Sequence, residues 1–390
     1  GITKSVATQD WRYNLMNTVM KAYTYQVLVD LFDKVPYSEA FQGAANLQPK
    51  FDDGDKIYAS LIAEIDAALA KDYKTKPLTD AQIKSDLVFG NKPALSATIT
   101  SENVMDGYER LANTLKLKMY LRMVNAKPSE AQAGITKLYQ DGAKFLDRDA
   151  EVAVFVNTPN KSNPFYEYNF RRLNTPDNLK ASTTFTSWLD KNQDPRAEVY
   201  FGTPNPVPSI NQGDYLGGAE HPEYNDAVNV VVKATDAAPI ISKAESLFMQ
   251  AEARERYFGG VGAQVLFDAG VTEAFAKYSL TAPSTAAYQY PTTGNLEAKI
   301  EAIVVQKWAS LFGSHALEAF FEQNRTGYPK TTTLYSDEAG YTPGQLVYTP
   351  NGVTGPNNFP RRFVFPDFEK SRNSNTPVQV PIYTKVWWGK

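Results

Sequence analysis

Apolar residues step by three and four along both ends of this 390-residue chain and stop doing so in its middle. In the first third, Leu15, Val19, Ala22, Gln26, Val29 and Phe32 form one stripe of a long helix, which Pro36 is expected to stop. Asp52 to Asp55 sit where N-caps and first-turn acids belong, ahead of a second stripe of Ile57, Leu61, Ile65 and Leu69. A third helix is expected over residues 101–125, with Val104, Tyr108, Leu111, Leu115 and Met119 in its stripe. Lys116, Lys118 and Arg122 fall on its other faces. Pro128 separates it from a helix expected over 133–146.

The same period returns late in the chain. Ile241, Ala244, Phe248, Ala251, Glu255 and Phe258 precede Gly259-Gly260, a pair suited to ending a helix. Leu266, Ala269, Phe275 and Tyr278 follow at once, so the two segments read as a helical hairpin with alanines at its contact positions. Ile300, Val304, Trp308 and Leu311 mark a helix over 296–312, and a shorter one follows over 317–322. These pairs predict an all-α fold of tetratricopeptide-like hairpins with a loop-rich region and a few short strands. No fixed period of about 34 residues runs through them. With no charged or Ser-rich linker, the expectation is one domain over 1–390. Within it, 1–150 holds the N-terminal helices, 151–237 a loop-rich aromatic segment, 238–326 the C-terminal hairpins and 327–390 an irregular tail closing on Trp387-Trp388.

In the middle, Val152, Val154 and Val156 alternate as a strand does, and so do Val228, Val230 and Val232. Prolines and glycines crowd the residues between. Aromatic residues are 13% of the chain, led by 23 tyrosines, and many fall here. Tyr166, Tyr168 and Phe170 alternate beside Arg171 and Arg172. Rings stack on the apolar face of a sugar or side chain, while hydroxyls and guanidinium groups add direction. Loops on a rigid helical scaffold are where binding residues sit. The candidate ligand-binding residues are therefore Tyr166, Tyr168, Phe170, Arg171, Arg172, Trp188, Tyr215 and Tyr224.

Several classes of function find no support. A net charge of −3 does not suit neutralising phosphates in bulk, so nucleic acid is not expected as a partner. No run approaches about 18 apolar residues. Cysteine is absent, which removes disulfides, thiolate catalysis and Cys-ligated metal. Gly260-Val261-Gly262 lacks the third glycine of a dinucleotide loop and lies between helices. His221 and His315 are isolated, and Asp52-Asp53-Gly54-Asp55 is too compressed for an EF-hand. Ser314-His315 are mere sequence neighbours. No cofactor is expected, a structural calcium on main-chain carbonyls being the one ion left open. The polar start at Gly1 lacks an apolar leader segment, so the chain is expected to be a mature or trimmed form.

A series of short motifs then supplies a family. They are Leu31-Phe32-Asp33-Lys34-Val35-Pro36-Tyr37-Ser38-Glu39-Ala40, Pro49-Lys50-Phe51-Asp52, Asp86-Leu87-Val88-Phe89-Gly90 and Leu111-Ala112-Asn113-Thr114-Leu115-Lys116-Leu117-Lys118. Asn163-Pro164-Phe165-Tyr166, Asp194-Pro195-Arg196, Ala244-Glu245, Ala251-Glu252-Ala253 and Gln306-Lys307-Trp308 follow. Arg325-Thr326-Gly327-Tyr328-Pro329, Pro360-Arg361-Arg362 and Val386-Trp387-Trp388 complete the series. In this order and spacing the chain resembles the SusD/RagB proteins of the Bacteroidetes outer membrane, in their SusD-like branch. Tyr108 and Leu111 stand where that family often has Trp and Phe. The resemblance implies four tetratricopeptide-like helix pairs and a lipid-anchored, surface-exposed nutrient-binding protein without catalysis. It implies a SusC-like TonB-dependent transporter as partner, a glycan or oligosaccharide as ligand, and an N-terminal lipid anchor absent from this chain. A peptide or other nutrient, or a tetratricopeptide-type scaffold that binds only protein, are the alternatives. A helical glycosidase finds no catalytic constellation. The family's motifs carry no ligand residue, so none is transferred to this chain.

Overall fold

The helical stripes become helices, and their ends show what the apolar pattern does not encode. The computed structural model describes residues 1–92, 98–174, 176–211, 226–312, 315–348, 352, 354–355 and 358–390. The chain forms two compact units. One comprises Gly1–Asp80, Ile99–Phe145 and Asn358–Lys390, the other Ala81–Thr98 and Leu146–Asn357. The fold is mainly α. Among the described residues the strands form three two-stranded sheets, each strand two to four residues long.

In the first unit, helix Trp11–Phe32 buries Leu15, Val19, Ala22, Gln26 and Val29. It ends before Pro36 rather than at it. Asp33 takes a φ of +71° and turns the chain into strand Lys34–Pro36, which pairs antiparallel with Phe51–Asp53. Helix Gly54–Leu69 buries Ile57, Leu61 and Ile65. The aspartates before it do less capping than expected. Asp53, at the N-cap, makes no side-chain cap bond. Asp52 instead accepts from the main-chain N–H groups of Tyr37 and Ser38 and from the Ser38 hydroxyl. Helix Ser101–Arg122 opens on a reciprocal capping box between Thr100 and Asn103. Pro128 begins the next helix, Pro128–Gln140, because the first helical position needs no N–H.

Lys116, Lys118 and Arg122, expected on faces away from the stripe, are buried with it. Helix Ser101–Arg122 packs against Trp11–Phe32, Gly54–Leu69 and Pro128–Gln140, so little of its circumference is left to solvent. Each cation therefore needs a partner. Lys116 pairs with Asp66. Arg122 donates through Nε to Asp30, 3.1 Å away, and both side chains are almost wholly buried. The same carboxylate accepts from Tyr58 Oη at 2.5 Å, Trp388 Nε1 at 2.7 Å and Gln26 Nε2. Asp30 thus joins the first three long helices to the end of the chain. The Arg122 guanidinium also lies 5.3 Å from the centre of the Trp388 ring.

In the second unit, helices Lys243–Tyr257 and Ala263–Ala276 form the expected hairpin. Gly260, at φ +77°, donates to the carbonyl of Arg254 and closes the first helix. A Cβ on Gly270 would stand 2.8 Å from the Phe248 ring, so the close approach of the pair uses a glycine as well as alanines. The buried stripe of the second helix is Ala263, Phe267, Val271, Ala274 and Phe275, with Leu266 and Tyr278 at its margin. Helices Leu296–Ser310 and Ala316–Thr326 follow. Asp194 and Arg196, both fully buried, form a forked pair that also accepts the Tyr288 hydroxyl at 2.7 Å. Burial and the Asp194 charge push the Tyr288 pKa far up, so its hydroxyl remains a donor. Arg325 makes a second fork on Glu252, at 2.6 and 2.7 Å, and reaches Glu322.

The valine alternations only partly become strands. Ala150–Val152 pairs with Ala238–Ile241. Residues 228–232 form no ladder because Val228, Val230 and Val231 donate to three different segments, at Pro208, Leu179 and Tyr200.

Replacing Asp30 by Ala leaves Arg122, Tyr58 and Trp388 without their common acceptor. The expected cost is about 3–5 kcal/mol, the usual penalty for breaking one side of a buried ion pair. Urea unfolding followed by tryptophan fluorescence reads it. A loss below about 1 kcal/mol would show that the carboxylate is dispensable.

Candidate functional site

Local hydrogen bonding builds one turn of the second unit from Asn163 onward. The Asn163 carboxamide oxygen accepts from the N–H groups of Phe165 at 2.9 Å and Tyr166 at 3.3 Å, with Pro164 at the first helical position. Asn163 is tied at its back as well. Its N–H donates to Ala234 O and its Nδ2 to Asp236 O, at 2.7 and 2.9 Å. The chain then widens into a π-helical turn over Glu167–Arg172, closed by Leu173 N–H donating to Tyr168 O at 3.0 Å.

This turn sorts the candidate residues. Tyr166 and Phe170, four apart, stack with centroids 5.0 Å apart. The Arg171 guanidinium lies 5.4 Å from the Tyr166 ring centre, bonds Asn157 at 2.6 Å and pairs with Glu167 at 3.3 Å. Those three side chains make a half-buried base. Tyr168 stands off it with 59% of its surface exposed. Arg172 is exposed and reaches Asn160 at 3.4 Å. The Ser162 hydroxyl donates to Glu167, and together with the Asn160 N–H and the nearby arginines holds that carboxyl below the usual carboxylate range. Glu167 is therefore an ionised part of the base.

Five of the eight candidates thus meet on one turn. Trp188 does not join them. It is 6% exposed, within helix Thr183–Lys191, with Tyr288 and Trp308 edge-on to it at 5.8 and 6.0 Å. A ring enclosed in this way packs the core and offers no face to a ligand, which corrects its place among the binding residues. Tyr215 and Tyr224 lie outside the described residues, as does His221.

The turn also brings in residues that the aromatic alternation passed over. Phe165 is 50% exposed, and Val156 and Leu173 are each 48% exposed. The signal was present in Asn163-Pro164, an N-cap followed by proline. It puts Phe165 and Tyr168, three apart, on one face of the turn that follows.

His315 Nδ1 lies 3.4 Å from Glu245, within a buried group that includes Lys307, Glu318 and Glu322. Among the described residues, no group of three or more histidine or acidic side chains is placed to hold a metal. No described helix is long and apolar enough to cross a membrane.

Residues 2–348 match the model of the SusD-like family, described as starch-binding and associating with the outer membrane. No curated protein matches the sequence. Solved structures share the fold. A SusD homolog from Bacteroides uniformis aligns with a TM-score of 0.76 at 19% identity, over 100% of this chain and 83% of its own. A SusD homolog from Flavobacterium johnsoniae, described as chitin-binding, aligns at 0.73 and 20% identity, over 97% and 80%. One from Bacteroides vulgatus aligns at 0.71 and 18%, over 98% and 81%.

Two alanine substitutions separate surface rings from core rings. Trp188→Ala is expected to cost about 3–5 kcal/mol, as for other buried aromatic truncations. Tyr168→Ala should stay within about 0.5 kcal/mol of the parent. Thermal unfolding of the two variants checks this, and equal losses would mean that Tyr168 is a packing residue.

Proposed function

Since the chain belongs to the SusD-like family, whose members associate with the outer membrane, we propose that it is a cell-surface nutrient receptor for a glycan or oligosaccharide. It captures its ligand on the turn around Phe165, Tyr166, Tyr168, Phe170, Arg171 and Arg172. It hands the ligand to a SusC-like TonB-dependent transporter, and a lipid on a residue preceding this sequence tethers it to the membrane. The role is binding, with no chemical step and no cofactor.

The observation that carries this reading is the exposed pair Phe165 and Tyr168 on an anchored base. Sugar rings present apolar C–H faces, and an aromatic ring held in place loses little entropy on meeting one. The Tyr168 hydroxyl and the arginines supply direction for the sugar's hydroxyls. The chitin-binding relative from Flavobacterium johnsoniae supports a saccharide as the ligand. Affinity should be modest, because two rings on an open turn bury little area.

Native gels containing plant, fungal and host polysaccharides test the proposal. At least one polymer should retard the protein, and the double variant Phe165→Ala, Tyr168→Ala should migrate as it does without polymer. Undiminished retardation of that variant would move the site elsewhere.

A further inference from the structure

The charges around the turn go further than its rings. Residues 156–173 carry three cations, Lys161, Arg171 and Arg172, and one acid, Glu167. Glu167 is bonded by Ser162 and paired with Arg171, which also holds Asn157. That leaves two cations of different standing. Lys161 is exposed. Arg172 is exposed and, among the described residues, its hydrogen bond goes to a neutral amide, Asn160, at a long 3.4 Å, while the charge it feels from Glu167 is shared with Arg171, which pairs with that carboxylate directly. The next acid, Asp177, already accepts from the Asn229 carboxamide at 2.8 Å.

The period of the turn puts Arg172 on the face of the exposed Tyr168 ring. In a turn closed by the bond from Leu173 N–H to Tyr168 O, residues 168, 172 and 173 lie on one face. Tyr168 and Leu173 are about half exposed on that face. A planar guanidinium beside an aromatic ring suits a ligand with an apolar face and a carboxylate or sulfate on its edge, because a fork of N–H donors binds two oxygens at once. The chain as a whole is weakly acidic, so this local excess of positive charge is not a general property of its surface.

We infer that the glycan taken by this turn is anionic, its carboxylate or sulfate bound by Arg172 next to Tyr168. This rests on the receptor reading and names its substrate class.

Matched polymers isolate the charge. Polygalacturonate and its fully methyl-esterified form differ in the carboxylate, and dextran sulfate and dextran differ in the sulfate. Native gels at low and high salt should show stronger retardation by at least one charged polymer than by its neutral partner, weakening as salt rises. Which pair shows the preference tells carboxylate from sulfate. Arg172→Gln should weaken that retardation by about tenfold, the scale of one hydrogen-bonded charge pair. Lys137→Gln, which removes an exposed charge in the other unit, should leave it unchanged. Equal retardation by charged and neutral polymers, or an Arg172→Gln protein that binds the charged polymer as the parent does, overturns the inference. If neutral glycans bind through Tyr168 without any preference for charge, the inference falls and the receptor stands. If no saccharide binds, both fall.

Discussion

One carboxylate with no access to water organises the first unit. Asp30 faces inward from helix Trp11–Phe32 and collects donors from Gln26, Tyr58, Arg122 and Trp388. Its charge in a dry interior is tolerable only with all of these partners in place, so three helices and the chain terminus must arrive together. The second unit repeats the principle with different residues. Asp194 gathers Arg196 and Tyr288, and Arg325 joins Glu252 to Glu322. Apolar stripes supply most of the burial in both units, but they leave helices free to slide. The buried forks and caps set the register.

That rigidity matters for the turn that follows Asn163. Its outer rings contribute little to packing, and they hold position because Asn163 is bonded both to the turn and to residues 234–236. Stacking of Tyr166 on Phe170, with Arg171 over Tyr166, stiffens the layer beneath. The exposed face then presents Phe165, Tyr168, Arg172 and Leu173 on a backbone that these bonds hold in place. A glycan with an acidic edge is the ligand proposed for this face, since peptide recognition would call for an unpaired strand or a groove for side chains.

Helices were legible in the sequence wherever an apolar stripe faced a single neighbour, as in residues 15–29 and 57–65. The pattern was incomplete where a helix is enclosed by several neighbours, because Lys118 and Arg122 fall on faces away from the stripe and are buried all the same. Helix ends depended on one residue's backbone, such as Asp33 at positive φ, and Pro36 obscured it. The family motifs were legible but structural. Asp194-Pro195-Arg196, Ala251-Glu252-Ala253 and the closing Trp387-Trp388 supply the buried polar contacts of the two units. The candidate site was legible as aromatic alternation with adjacent arginines, which located the turn. It could not tell Trp188, sealed among Phe185, Tyr288 and Trp308, from an exposed ring, because exposure follows from tertiary packing.

Hydroxyl-radical footprinting with and without the retarding polysaccharide tests the central claim most directly, because it reads side-chain exposure residue by residue. Phe165, Tyr168 and Leu173 should be protected by the ligand. Phe41, which is 92% exposed in the other unit, should react equally in both samples and serves as the internal reference. Protection elsewhere, with Phe165 and Tyr168 still fully reactive, would contradict the account.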